Sequence, residues 1–248
     1  MPVFCMRRIP EILAAYFLFC GAAAAEGIAP LGADECAAMK AHHVLQEGAP
    51  VDCGRLAVVA FSYVDFQGQA HDDGKLVVLD AVAPRVLRIF QALKARGFPL
   101  AKARPVEAYD GSDDASMEDD NSSAFNHRTV AGSGRISLHA YGAAIDLNPV
   151  ENPYLTFSGA TVTVAPPQGA AFVNRRQARL GKPVRKGMAE EVVAIFAANG
   201  FSNWGGDWDG PIDYQHFDIT RPVAEALAAL PPAEACATFE MGIAPRAR

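Results

Sequence analysis

Apolar, β-branched and aromatic residues crowd into LAVVAFSYVDF, residues 56–66, and predict a strand. The polar GQAHDDGK that follows predicts a turn, and LVVL at 76–79 a returning strand, so the segment reads as a hairpin. The period then changes. Val82, Val86, Ile89, Phe90 and Leu93 recur at three- and four-residue spacing, which predicts a helix with one apolar face. Asp80 is its expected N-cap, and Gly97 followed by Pro99 its stop. RPVEAY predicts a short strand that Pro105 confines to an edge or a beginning.

Residues 110–135 are polar, acidic and Gly/Ser-containing, the composition of a long loop. TVTVA at 161–165 predicts a strand, and residues 188–201 a second amphipathic helix built on Val192, Val193, Ile195 and Phe196 and stopped at Gly200. HFDIT predicts a last strand and residues 221–230 a C-terminal helix, while a short helix is expected around Cys36 to Leu45. Strands and helices follow one another without regular βαβ alternation, so the expected class is α+β with a small, mainly antiparallel sheet.

The first residues change the picture of where the chain works. Arg7 and Arg8 precede an apolar run at 12–25 that ends in Ala23, Ala24 and Ala25. It is shorter than the roughly 20 residues a bilayer span needs. It reads as a signal peptide over residues 1–25, with export to the periplasm or beyond and no membrane span after cleavage. The net charge of −6, with no basic block, argues against a nucleic-acid partner. Outside the leader stand Cys36, Cys53 and Cys236. An oxidising compartment allows one pair, and Cys36 with Cys53 closes the shorter loop, although the sequence does not choose. No CxxC supports a thiolate zinc site.

Candidate chemistry lies in two segments. In SLHAYGAAIDLNP, His139 precedes Asp146 by seven residues, and Asp146 sits in a run that ought to be buried. A buried carboxylate must be paired, hydrogen-bonded or bound to a metal. Downstream, NWGGDWDGPIDYQHFD carries Asp213 and His216, with Trp204 and Trp208 flanking Gly205 and Gly206. His139, Asp146 and His216 make a His₂–Asp set, the three protein ligands of a catalytic zinc with one open position. Asp213 is left over as the carboxylate that takes and delivers protons. Ser137, near His139, raises the rival of a serine nucleophile, but no G-x-S-x-G elbow surrounds it.

These motifs resemble the M15 zinc peptidases, in the branch of L-alanyl-D-glutamate endopeptidases and VanY-like D-alanyl-D-alanine carboxypeptidases. The resemblance rests on SLHAYGAAIDLNP, on Asn152-Pro153-Tyr154, on WGGDW with DYQHF, and on SMEDDNSSAFNHR upstream. It covers residues 57–220. It implies a hedgehog-like or D-Ala-D-Ala peptidase-like fold whose small sheet carries one Zn²⁺ on His139, Asp146 and His216. It implies Asp213 as general base, and Arg128 near the reacting carbonyl or a substrate carboxylate. Ser137 would hydrogen-bond near the substrate or shape the turn. The expected division is 1–25 signal peptide, 26–55 N-terminal extension, 56–220 peptidase domain, and 221–248 C-terminal helix and tail. The implied activity is hydrolysis of peptidoglycan stem peptides by a monomer. A wall-binding module that has lost catalysis is the rival from another class. The sequence departs from the family pattern at Asp120, in DNSS, and at His127, where cysteine is frequent.

Overall fold

The computed structural model describes residues 26–130 and 132–243, so the expected signal peptide lies outside the described residues. The predicted hairpin forms the largest sheet. Leu56–Val64 pairs antiparallel with Ala70–Leu79 on one side and with Gly27–Pro30 on the other. The return strand begins earlier than its polarity suggested. Its first residues project beyond the core and stay solvated, while Leu76 to Leu79 are buried. The turn is therefore confined to the residues around Asp65, whose carboxylate accepts from the N–H groups of Gln67 and Gln69.

The helix Ala83–Arg96 lies across this sheet through the predicted apolar face. Val86, Ile89, Phe90 and Leu93 are buried, and the Phe90 ring stacks on Phe61 with centroids 4.0 Å apart. Each such side chain contributes roughly 1.5–3 kcal/mol on burial. The left-handed Gly97 closes the helix as expected. The N-cap expectation fails. Val82 holds that position, and Asp80 instead receives two hydrogen bonds from Arg55 at 2.9 and 3.0 Å. Arg55 also donates to the carbonyls of Leu227 and Ala228 at the end of helix Arg221–Ala229, so tertiary demand for a carboxylate overrode local capping.

Other expectations are corrected too. RPVEAY holds a 3-10 turn over Val106–Tyr109, entered by Pro105, and the strand lies just before it, Lys102–Ala103, paired in parallel with Asn121–Ser122. The polar stretch 110–135 is not one long loop. It contains the helix Asp113–Glu118, capped by Ser112, and that short strand. The expected helix over 188–201 is broken into a 3-10 turn, Ala189–Glu191, and Val193–Ala198. Beyond Arg221–Ala229 a further helix, Pro232–Ile243, buries Ala235 and Phe239, and Glu240 takes two hydrogen bonds from Arg85. Cys36 and Cys53 form a disulfide, and Cys236 is free. Among the described residues no helix is long and apolar enough to cross a membrane.

Two small antiparallel sheets complete the mixed α/β architecture. In one, His216–Asp218 lies between Ala144–Asp146 and Asn203–Trp204. In the other, Tyr154–Ser158 lies between Ile212–Asp213 and Thr161–Ala165. The glycine in SLHAYG joins the first of these to the large sheet. Gly142 has φ +65°, and its carbonyl accepts from Leu79 N at 2.9 Å. A Cβ there would overlap the Leu79 nitrogen, so both conformation and contact demand glycine. The substitution Gly142→Ala is expected to cost about 1–3 kcal/mol or more, read as a lower urea midpoint.

A second fold-level consequence concerns pH. Glu151 and Asp120 form a buried carboxyl pair. Burial, then the neighbouring Asp120, pushes Glu151 up to about 9, and burial raises Asp120 as well. The folded chain therefore holds a proton that the unfolded chain releases. Stability from this pair is complete below the ordinary carboxyl value of 4.5 and is lost as pH rises toward about 9. Glu151→Gln is expected to flatten that decline, measured as chemical-denaturation midpoints between those limits.

Candidate metal centre

Local structure explains how each candidate side chain reaches the site. Ser137 opens the 3-10 turn Leu138–Tyr141, its hydroxyl accepting from His139 N at 3.2 Å. That turn, rather than a strand, presents His139. Asp146 ends the strand Ala144–Asp146, whose backbone is clasped on its other side by Ser123 in both directions. His216 stands directly opposite Asp146 in the register. Side chains alternate along a strand, so His216 and Asp218 share one face while Phe217 takes the other. Phe217 is fully buried and stacks on Phe196 at 3.9 Å. Core packing on one face thus fixes the ligand face on the other.

Three polar side chains meet there. His139 Nε2 lies 3.2 Å from His216 Nδ1 and 3.2 Å from an Asp146 carboxylate oxygen, and His216 Nδ1 lies 3.2 Å from the other Asp146 oxygen. Ligand atoms held at about 2.0–2.2 Å by a tetrahedral ion stand about 3.3 Å apart, so the triangle has the right size. The outer nitrogens are committed elsewhere. His139 Nδ1 faces the Ala124 carbonyl at 2.5 Å, and His216 Nε2 faces Asp218 at 3.1 Å. Both acceptors require a proton on the outer nitrogen, which leaves an inward lone pair on each neutral imidazole. Two such lone pairs and a carboxylate in this triangle repel one another unless positive charge, a proton or a metal ion, sits among them. The shifts express the same demand. Burial would raise the Asp146 carboxyl and lower His216, yet the imidazoles hold Asp146 well below its usual range, and Asp146 and Asp218 push His216 up to about 10. The donor set fits a divalent ion.

Asp213 is half-buried, and its inward Oδ1 is buried without a hydrogen-bond partner. Burial, then the Asp146 charge, pushes it up to about 6. Its position depends on the glycine pair. A Cβ on Gly205 would overlap the Asp213 backbone oxygen, and one on Gly206 would overlap the Trp204 indole. Trp204 in turn donates to the Tyr214 carbonyl at 2.9 Å. Trp208 lies against the His216 ring with centroids 5.4 Å apart.

A cavity of about 750 Å³ opens onto His139, Asp146, Asp213, His216, Arg128 and Ser137 together. The fold therefore brings all six sequence candidates to one space. Arg128 is paired there with Asp113 of the acidic segment, and the Ser137 hydroxyl supports the His139 turn. One residue escaped the sequence reading. Asp218 follows His216 at the i+2 spacing that puts two strand residues on one face, a signal present in HFD but not used.

A buried His-Asp-His triangle with a spare carboxylate beside it in an open cleft is the equipment of a metal-dependent hydrolase. Residues 131–219 match the M15 peptidase family model described as D-alanyl-D-alanine carboxypeptidase, which supports an M15-family peptidase. The matched segment includes His139, Asp146, Asp213 and His216, and begins after Arg128. No curated protein and no solved structure matches the chain. The purified protein is expected to bind a divalent ion stoichiometrically, and Asp146→Ala to bind none after the same dialysis, measured by elemental analysis.

Proposed function

We propose that this protein is an exported zinc peptidase that hydrolyses a peptide bond in peptidoglycan stem peptides. The observation that carries the reading is the buried, unpartnered Oδ1 of Asp213 in the cavity that holds the His139–Asp146–His216 triangle. The residues that would hold the ion are those three. Zinc, when bound, supplies Lewis-acid polarisation of a carbonyl and brings the pKa of a water toward ~7.

The chain's own groups account for the remaining chemistry. Asp213 takes a proton from the attacking water, whose oxygen bonds to the scissile carbonyl carbon. The carbon–nitrogen bond then breaks, Asp213 returns the proton to the leaving amine, and the acid's remaining proton passes to that amine, giving a carboxylate and an ammonium. Arg128, across the cavity, is the group for a substrate carboxylate or the developing oxyanion. Ser137 acts by holding the His139 turn, and its place on the cavity wall also allows a substrate contact.

The proposal includes a hedgehog-like fold over residues 56–220, a signal peptide before it, and a monomer. The Cys36–Cys53 disulfide supports an oxidising compartment. The family description favours D-Ala-D-Ala substrates, with the L-Ala–D-Glu bond as the alternative.

Intact sacculi incubated with the protein, with and without chelator, and products read by mass provide the test. Free D-alanine marks a carboxypeptidase, and cleavage after L-alanine an endopeptidase. Binding to sacculi without chelator-sensitive cleavage would instead establish a non-catalytic module. Asp213→Asn is expected to lose about 10²–10⁴-fold in turnover while retaining the metal. Loss of the ion in that variant would make Asp213 a ligand rather than the base.

A further inference from the structure

We propose that Asp218 is the positioning residue of the metal centre, fixing the tautomer and ring orientation of His216. The inference rests on the reading of the triangle as a metal site, and not on the substrate. His216 can use either ring nitrogen, and the two face different partners. Nδ1 looks into the triangle, and Nε2 lies 3.1 Å from Asp218 Oδ2. An ionised carboxylate only accepts, so it draws the proton to Nε2 and leaves Nδ1 as the ligand.

Asp218 is itself held from every side. Its side chain is 2% exposed. Asn203 Nδ2 donates to Oδ2 at 2.7 Å, and Thr220 N donates to Oδ1 at 2.6 Å. The Asn203 amide has one orientation available, because its Oδ1 accepts from Trp208 Nε1 at 3.2 Å and its NH₂ must then face Asp218. Thr220 makes its contact from φ +70°, a conformation uncommon for a branched residue. A chain of contacts thus runs from Trp208 on the cavity wall through Asn203 and Asp218 to His216. His139 is oriented differently, by the neutral Ala124 carbonyl. The second carboxylate accordingly acts on His216 alone, where it raises the basicity of the imidazole and adds negative charge beside a dication.

The test is the affinity of the full chain for Zn²⁺, by competition with a chromophoric chelator, together with the visible spectrum of the Co²⁺-loaded protein. Asp218→Ala is expected to weaken Zn²⁺ binding about 10–100-fold and to alter the Co²⁺ bands. Asp218→Asn, which keeps an acceptor without the charge, is expected to recover part of the loss. Asn203→Ala is expected to weaken binding less than Asp218→Ala, and it serves if that variant does not fold. Metal-free wild type and Asp218→Asn are expected to melt alike, which separates positioning from general destabilisation. Wild-type affinity in both Asp218→Asn and Asn203→Ala would overturn the assignment while leaving the metal centre intact. A wild-type protein that binds no Zn²⁺ would overturn the metal reading itself.

Discussion

Everything at the site follows from forcing two imidazole lone pairs and a carboxylate into a buried triangle with sides of 3.2 Å. Such an arrangement is unfavourable by itself, because lone pairs and a carboxylate charge crowd together where little water reaches them. The surrounding fold must hold it in place, and positive charge, a proton or a bound ion, must balance it. Core packing of Phe217 against Phe196, the Ser123 clasp on Asp146 and the Gly142 contact with Leu79 provide that restraint.

Around that triangle the protein divides its carboxylates by surroundings. Asp146 faces two imidazoles and stays ionised. Asp218 is held by His216, Asn203 and Thr220, and is likewise kept below its usual range although burial opposes this. Asp213 has no such partners on Oδ1 and is raised. Three aspartates within six residues of sequence or opposite in register thus reach different protonation behaviour, and only the raised one is suited to passing protons. Gly205 serves this division by letting backbone approach where a side chain would push Asp213 away, and Gly206 does the same for the Trp204 ring.

The N-terminal segment and the last two helices belong to the same physical unit as the site sheet. Gly27–Pro30 extends the large sheet, Arg55 ties that sheet to the end of Arg221–Ala229, and Arg85 ties its helix to Glu240. Arg221 also donates to the Ile136 carbonyl beside the His139 turn. Stability of the distant ends is therefore transmitted to the ligand geometry through hydrogen bonds and packing.

The hairpin, the helix closed by Gly97 and the pairing of SLHAYGAAIDLNP with DYQHFD were legible because they depend on local period and on residue types with few alternative uses. A buried Asp146 beside a spaced histidine announces a charge partner before any fold is known. The distances within the His139–Asp146–His216 set, the contact of Asp218 with His216 and the pairing of Cys36 with Cys53 were decided only in three dimensions. The same holds where tertiary contacts displaced local preference: Asp80 left its helix to meet Arg55, and the polar segment formed the helix Asp113–Glu118 and the strand Asn121–Ser122, followed by Ser123 clasping Asp146. Sequence carries what adjacent residues can enforce on one another. Which atoms meet at the triangle, or which carboxylate oxygen lacks a partner, is set by groups as far apart as His216 and Asp146, 70 residues in sequence, and exists only once the chain has closed.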